Sequence, residues 1–315
     1  MVLAQHVMDC LTSVSTKRAK ASKSACAQLA LQILLVAVGL RRAALVDALS
    51  LSVKQASAIS KKLAGLSRST RSEHLVGVRL LLHAPTSQTF IVSTQQNLWS
   101  DVRSLTHEAD SPPIAGSGLW IDARSTAQHG SPTISSPDPH VCSLISAVHQ
   151  AIFSDDTADV LVIFPQEVTA APSHCPNEAL LVGVALAGFL LEYGAVYCIH
   201  EPSHDALCYD VRPLRSAEQS LPEAEFAASP INCLGSQPLV LFRVLLWIDS
   251  SEQSFELLAF SVPQCLCSDD AIERQRMSLG DTFQARIDSL SIGAIFANGR
   301  ITVNVAAVIL PQVAL

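Results

Sequence analysis

The segment His200-Glu201-Pro202-Ser203-His204 has the HExxH spacing of zinc-dependent peptidases. That chemistry needs a helix, on which two histidines four apart share one face and the glutamate polarises a zinc-bound water. Pro202 falls where the helix interior would be. There it removes a hydrogen bond and clashes with the preceding turn, at a cost of about 3 kcal/mol. A peptidase is therefore not expected. Widened to Cys198, His200, His204 and Cys208, the same stretch offers four soft ligands. The spacing implies no tetrahedral geometry, and no metal site is assigned to it.

A second constellation follows from topology. Ligands of open α/β sheets bind beyond the carboxyl ends of the strands. Asp47, Asp122, Glu167 and the His200/Glu201 pair all sit at or just past such ends. Two of these acids brought together could hold Mg²⁺, or one with a raised pKa could act as a general base. Asp47, Asp122 and Glu167 are therefore the candidate catalytic residues, although an acid after a strand also caps a helix or starts a turn. Asn177, which opens a helix, and His200 are candidate binding residues. Asn177 reads as an N-cap, or as a helix end facing an anion.

Other signatures are missing. There is no GxSxG elbow, and no lysine follows Lys62, which removes a P-loop. Gly116-Ser117-Gly118 lacks a third glycine and precedes a strand. Cys265-Leu266-Cys267 reads as extended chain with its thiols on opposite sides, a structural feature.

The elements that would position these residues are legible from periodicity and punctuation. Residues 1–23 read as a flexible basic leader. A helix follows from about Ser24 to Val38, stopped by Gly39. Then come a strand at Ala43–Asp47, a helix over Val53–Leu66, and strands at Leu75–His83 and Thr89–Ser93. Residues 107–117 read as a loop insertion, followed by a strand at Gly118–Asp122 and a polar loop over Ala123–Pro139. A helix over Pro139–Phe153, a strand at Asp159–Phe164, a helix over Asn177–Glu192 and a strand at Ala195–His200 complete the alternating part. Residues 201–230 carry prolines and acids and read as an exposed insertion. Strands at Leu239–Ile248 and Phe255–Val262 form a hairpin. A helix near Asp269–Leu290 precedes a last strand pair, Ile292–Phe296 and Arg300–Leu310, turned at Asn298-Gly299. Alternation first and hairpins last imply an α/β fold: a single three-layer domain over 24–315 with a mixed sheet.

Hydrophobic residues make up 49% of the 315 residues and charged ones 16%, which is ample for a core built from Leu, Val, Ile and Ala. Residues 1–107 carry 13 Lys+Arg against 4 Asp+Glu, and the remainder carries 8 against 24. Without interleaved aromatics the basic third reads as solvated helix faces, and nucleic acid is not an expected partner. The longest apolar run, Ala179–Leu191, is short of the roughly 20 residues that a membrane span needs. Nine scattered cysteines without a CxxC pair, no Asn-x-Ser/Thr site and no signal-peptide pattern point to free thiols in a reducing compartment. The expected location is cytoplasmic, with mitochondrial and nuclear addresses left open.

The pieces LALQILLVAVGLRRAALVDA (29–48), LWIDA (119–123), Asn232-Cys233-Leu234, Phe260-Ser261-Val262-Pro263 and Leu310–Leu315 stand in an order that carries a resemblance. The chain resembles an uncharacterised eukaryotic family, described only as a domain of unknown function, whose human member is named after an open reading frame on chromosome 1. The resemblance implies no activity and no catalytic residues. The reading it leaves is a soluble intracellular binding or interaction protein without catalysis or cofactor, with an unknown protein partner. The alternative is a divalent-metal-assisted hydrolase or phosphate-ester enzyme that would use Mg²⁺ at Asp47, Asp122 and Glu167.

Overall fold

A computed structural model describes residues 2–14, 22–47, 51–70, 75, 77–86, 88–102, 119–123, 131–154, 160–165, 176–198, 209–213, 234, 236–248, 253–290, 296 and 298–310. The fold is α/β, with one mixed five-stranded sheet and two three-stranded sheets. Backbone packing groups the chain into two compact units. The first comprises Met1–Thr106, Pro139–Gly183 and Ser203–Phe226, and the second His107–Asp138, Val184–Pro202 and Ala227–Leu315.

The first unit opens with a correction. Val2–Val14, read as leader, forms helix α1, and Val7 and Leu11 are buried at 0% and 2% exposure. Their i, i+4 spacing puts both on one face, which suffices to dock the helix. Helix α2 (Lys23–Ala37) is capped by Ser22, whose hydroxyl accepts from the Ala25 N–H at 3.0 Å. It ends at Gly39 with φ +80°, where the N–H groups of Gly39 and Leu40 return to the Val36 and Leu35 carbonyls. A side chain at Gly39 would also meet the Gln95 amide oxygen at 2.2 Å, so glycine is required there twice over.

The sheet of this unit runs in the order β1 (Ala43–Leu45), β3 (Gln88–Ser93), β2 (Val78–His83), β6 (Val160–Pro165), β8 (Tyr209–Pro213). Strands β1, β2 and β6 point the same way, because β2 and β6 are parallel and β3 is antiparallel to both β1 and β2. Strand β8 lies inside the expected insertion 201–230 and pairs with β6 from Pro213 opposite Leu161 to Tyr209 opposite Pro165. Its prolines and acids hid it, but Pro213 sits at a strand end and on a sheet edge, where a missing N–H is tolerated. The rest of that insertion, and the loop 107–117, lie outside the described residues.

Alternation along β2 shows which layer covers which face. Val78 and Leu80 point to helix α3 (Val53–Thr70), with which they line a groove of about 210 Å³ beside Ser60, Leu63 and Ser67. Arg79 and His83 point the other way. Arg79 Nη1 donates to the Ala151 carbonyl of helix α4 (Pro139–Phe153) at 3.1 Å. His83 meets Gly183, in helix α5 (Pro176–Leu190). Helices therefore cover both faces of this sheet.

The second unit holds strand β4 (Leu119–Asp122) between β5 (Thr133–Ile134) and β7 (Ala195–Cys198), and the sheet β10 (Gln253–Pro263), β9 (Pro238–Ile248), β11 (Gly299–Ile309). The Tyr197 hydroxyl donates to the Ser261 carbonyl at 2.7 Å and ties β7 to β10. Strand β9, apolar but for Arg243, reads as part of a central buried hairpin. The structure buries it on one face: Val240, Phe242, Val244 and Leu246 are 3% exposed or less, while Leu241, Leu245 and Trp247 are half-buried and Arg243 is exposed. Arg243 pairs loosely with Glu256 at 3.8 Å. A bulge at Glu256/Leu258 lets both Leu257 and Leu258 point inward, at 1% and 3% exposure. Helix α6 (Asp269–Asp288) is capped by Ser268 and buries Leu279, Phe283 and Ile287 at four-residue spacing. Strand β11 pairs antiparallel with β9 along its whole length, from Gly299 opposite Ile248 to Ile309 opposite Pro238. Of the strand expected at Ile292–Phe296, all but Phe296 lies outside the described residues.

One ion pair fastens α5 to α6. Past the last turn of α5 the chain turns through Glu192, with φ 60°, and the N–H groups of Glu192 and Tyr193 return to the Phe189 and Gly188 carbonyls. A non-glycine residue there costs roughly 1–2 kcal/mol. Arg286 grips Glu192 with both guanidinium nitrogens, at 3.0 and 2.5 Å, and the two side chains are only 17% and 10% exposed. Arg286→Met should lower stability by about 3 kcal/mol, because the carboxylate is left buried without its partner. Adding Glu192→Gly should restore most of that loss by removing both the orphan charge and the backbone strain. Urea unfolding midpoints test this, and simple additivity of the two losses would count against it.

Candidate functional site

Of the strand-end acids, Asp47 and Asp122 are among the described residues. Asp47 follows β1 and is exposed, at the edge of the five-stranded sheet, whereas Asp122 closes β4 and is half-buried in a different sheet of the second unit. Asn177 is the second residue of α5, because Pro176 takes the first position, where its missing N–H costs nothing. Cys198 is buried at the end of β7. Glu167, His200, Glu201, His204 and Cys208 lie outside the described residues. Among the described residues no group of three or more His, Cys, Asp or Glu is arranged around a metal position. Cys265 sits in a short 3-10 turn, not on extended chain, and its charge together with burial pushes the Cys267 thiol up, burial contributing most.

The carboxyl end of the central strand holds a residue that the strand-end argument passed over. His83 closes β2 and is fully buried. Its Nδ1 lies 2.7 Å from Thr86 Oγ1. The Thr86 hydroxyl donates to Gln88 Oε1 at 3.2 Å and accepts from the Gln88 N–H at 3.4 Å. With its own hydrogen committed, Thr86 can only accept from the imidazole, so Nδ1 carries the proton and Nε2 keeps a bare lone pair. Nε2 has no hydrogen-bond partner among the described residues. Gly183 leaves room for the ring, since a Cβ there would stand 3.1 Å from His83 Cε1 and 3.1 Å from Thr86 Cγ2. The sequence signal was available: a histidine ending the apolar run Val78–His83, followed by Ala-Pro-Thr, is a buried histidine with a hydroxyl within reach.

A different surface is built in the second unit, on the outer edge of β11. Gln284, from α6, bonds to backbone groups there. Its Oε1 accepts from the Ile301 N–H at 3.0 Å and its Nε2 donates to the Gly299 carbonyl at 3.4 Å. The side-chain amide thus takes the place of a neighbouring strand. It also shows that odd-numbered residues of β11 direct their N–H and C=O groups away from β9. By the same parity Val303, Val305, Ala307 and Ile309 present theirs outward, and no strand pairs with that edge among the described residues. Ile309 is 67% exposed. The stretch 303–309 contains no charge, proline or glycine, the usual protections of an edge.

This edge belongs to the part of the chain that comparison with known proteins reaches. Residues 223–315 match the family model described as a domain of unknown function (DUF4504). No curated protein and no solved structure matches the chain. The matched region spans β9, β10, α6 and β11, and it carries no assigned activity. Among the described residues no helix is long and apolar enough to cross a membrane; α5, on the longest apolar run, has 15 residues.

Burial holds His83 down at about 4 against an ordinary value of 6.5. The unfolded chain therefore takes up the proton first as pH falls. Stability from this residue is complete above about pH 6.5 and is lost as pH drops toward 4, at up to about 1.4 kcal/mol per unit. Unfolding free energies at pH 7 and pH 5 should differ by roughly 2 kcal/mol more in the native protein than in His83→Gln. Equal pH slopes for the two proteins would contradict this.

Proposed function

We propose that the chain is a protein-interaction module without a chemical step of its own, and that it engages its partner by strand addition at β11. The observation that supports this most directly is the unprotected edge Val303–Ile309 beside a start already occupied by the Gln284 amide. An incoming extended segment would satisfy the outward N–H and C=O groups in the way Gln284 does for Gly299 and Ile301. The half-buried Leu241, Leu245 and Trp247 on the open face of β9 add apolar area next to that edge. The free thiols Cys26, Cys265 and Cys267 support a soluble life in a reducing compartment, cytoplasmic in the simplest case. The kinship with the eukaryotic family of the chromosome 1 reading frame belongs to the same proposal and is supported by the segments quoted above.

Strand addition makes a specific demand. A lysine at an exposed position of an edge blocks a second strand while leaving the inner ladder intact. The native protein and Ala307→Lys, whose site is exposed, should each carry an affinity tag and be purified in parallel from cells that also express an untagged copy. A reproducible partner with the native bait, recovered at least about tenfold less with Ala307→Lys, is the expected outcome. No partner above background, or equal recovery with both baits, would remove the support for this reading.

A further inference from the structure

We infer that the strand added to β11 is β11 of a second copy of this chain, antiparallel about a two-fold axis at Ala306. This rests on the interaction reading above and names its partner.

Geometry leads to the pairing. Gln284 closes the outer edge at Gly299 and Ile301, so pairing can begin only at Val303. The ladder with β9 ends at Ile309 opposite Pro238. The open stretch is thus Val303–Ile309, and its midpoint is Ala306. Folding it against itself antiparallel sets Val303 opposite Ile309 and Val305 opposite Ala307 of the other copy, with Ala306 opposite its own equivalent. All four of these residues direct backbone groups outward by the parity that Gln284 reveals. In this register each outward N–H meets an outward C=O, and none is left over. A register shifted by one residue to either side would oppose outward groups to groups already used by β9.

The side chains agree with the backbone. The opposed pairs on one face are Val with Ile and Val with Ala, all apolar. On the other face Asn304 stands opposite Val308 and Ala306 opposite Ala306. No charge falls anywhere in the stretch, so the edge does not repel itself, whereas like charges set opposite one another would be unfavourable. A small side chain at the axis suits a non-hydrogen-bonded pair, whose Cα atoms approach to about 4.5 Å. Self-pairing also covers Ile309, the most exposed large apolar residue of the sheet at 67%. The product is a continuous sheet of two β10-β9-β11 halves, an isologous contact that closes on itself.

The test uses the full chain. Sedimentation should give twice the 33.6 kDa of one chain at micromolar concentration. Ala307→Pro removes an outward N–H and leaves the β9 ladder intact, so it should sediment at half the native mass with an unchanged far-ultraviolet spectrum. Ala307→Lys repeats the test by charge, should the proline variant fail to fold. Ala306→Cys should cross-link to its own equivalent under mild oxidation, since the Cα separation falls within the span of a disulfide, about 4.4–6.8 Å. Asn304→Cys should not, because the two copies of that residue stand about 13 Å apart. The native protein serves as the control for its own cysteines.

A native chain that stays at single mass up to about 100 μM would overturn the self-pairing. So would a dimer that survives both Ala307 variants and fails to cross-link through Ala306→Cys. If the chain is a monomer but cellular capture still depends on Ala307, the interaction reading stands with a foreign strand. If capture does not depend on Ala307 either, both readings fall.

Discussion

Every buried backbone N–H and C=O needs a partner, and at several element ends of this protein a side chain supplies it. Gln95 Nε2 donates to the Ala37 carbonyl at the close of α2, and Trp99 Nε1 donates to the Ser93 carbonyl at the end of β3. Arg42 Nε donates to the Leu98 carbonyl while its Nη2 holds Asp101 at 2.6 Å, with the guanidinium over the Trp99 ring. Tyr197 does the same for Ser261, and Gln284 for β11. These bonds lock strand ends, helix ends and a sheet edge, the places where secondary structure alone leaves groups unpaired. The same accounting shows where the protein stops, because beyond Ile301 the outer edge of β11 receives no such help among the described residues.

The elements that were legible beforehand are those whose pattern and punctuation agree. Helix Pro139–Phe153 came out as read, with Val141, Leu144, Ile145, Val148 and Ile152 inward at helical spacing. The hairpin of β9 and β10 came within two residues of its expected ends, set by the polar turn between them. Elements were missed where composition spoke against structure that pairing supplies. Strand β8 carries a proline and an acid, and only its ladder to β6 makes it a strand. The α1 helix lies in a stretch whose basic, polar remainder reads as leader. The long-range pairing of β11 with β9 has no local signal, because its partner lies some fifty residues upstream across α6.

The candidate site was less legible, for a reason of kind. Acids at strand ends carry a residue-type signature for metal and proton chemistry, and Asp47 and Asp122 close strands of different sheets. What the structure offers instead is a neutral histidine fixed in one tautomer and a backbone edge. Neither has a residue-type signature. The tautomer of His83 depends on a hydroxyl three residues on, and the openness of β11 depends on the reach of a glutamine on α6.

The long separation between β9 and β11 also orders the way the chain folds. The β9–β10 hairpin closes over a short turn, so it can form early, whereas β11 must wait for α6 between them. During that wait β9 presents an unpaired edge with the sequence Leu239-Val240-Leu241-Phe242-Arg243-Val244-Leu245-Leu246-Trp247-Ile248, in which Arg243 is the one charge. Such a segment pairs readily with any free strand it meets. Arg243, exposed and only loosely tied to Glu256 in the finished structure, is the one charge that such a segment carries against wrong pairing.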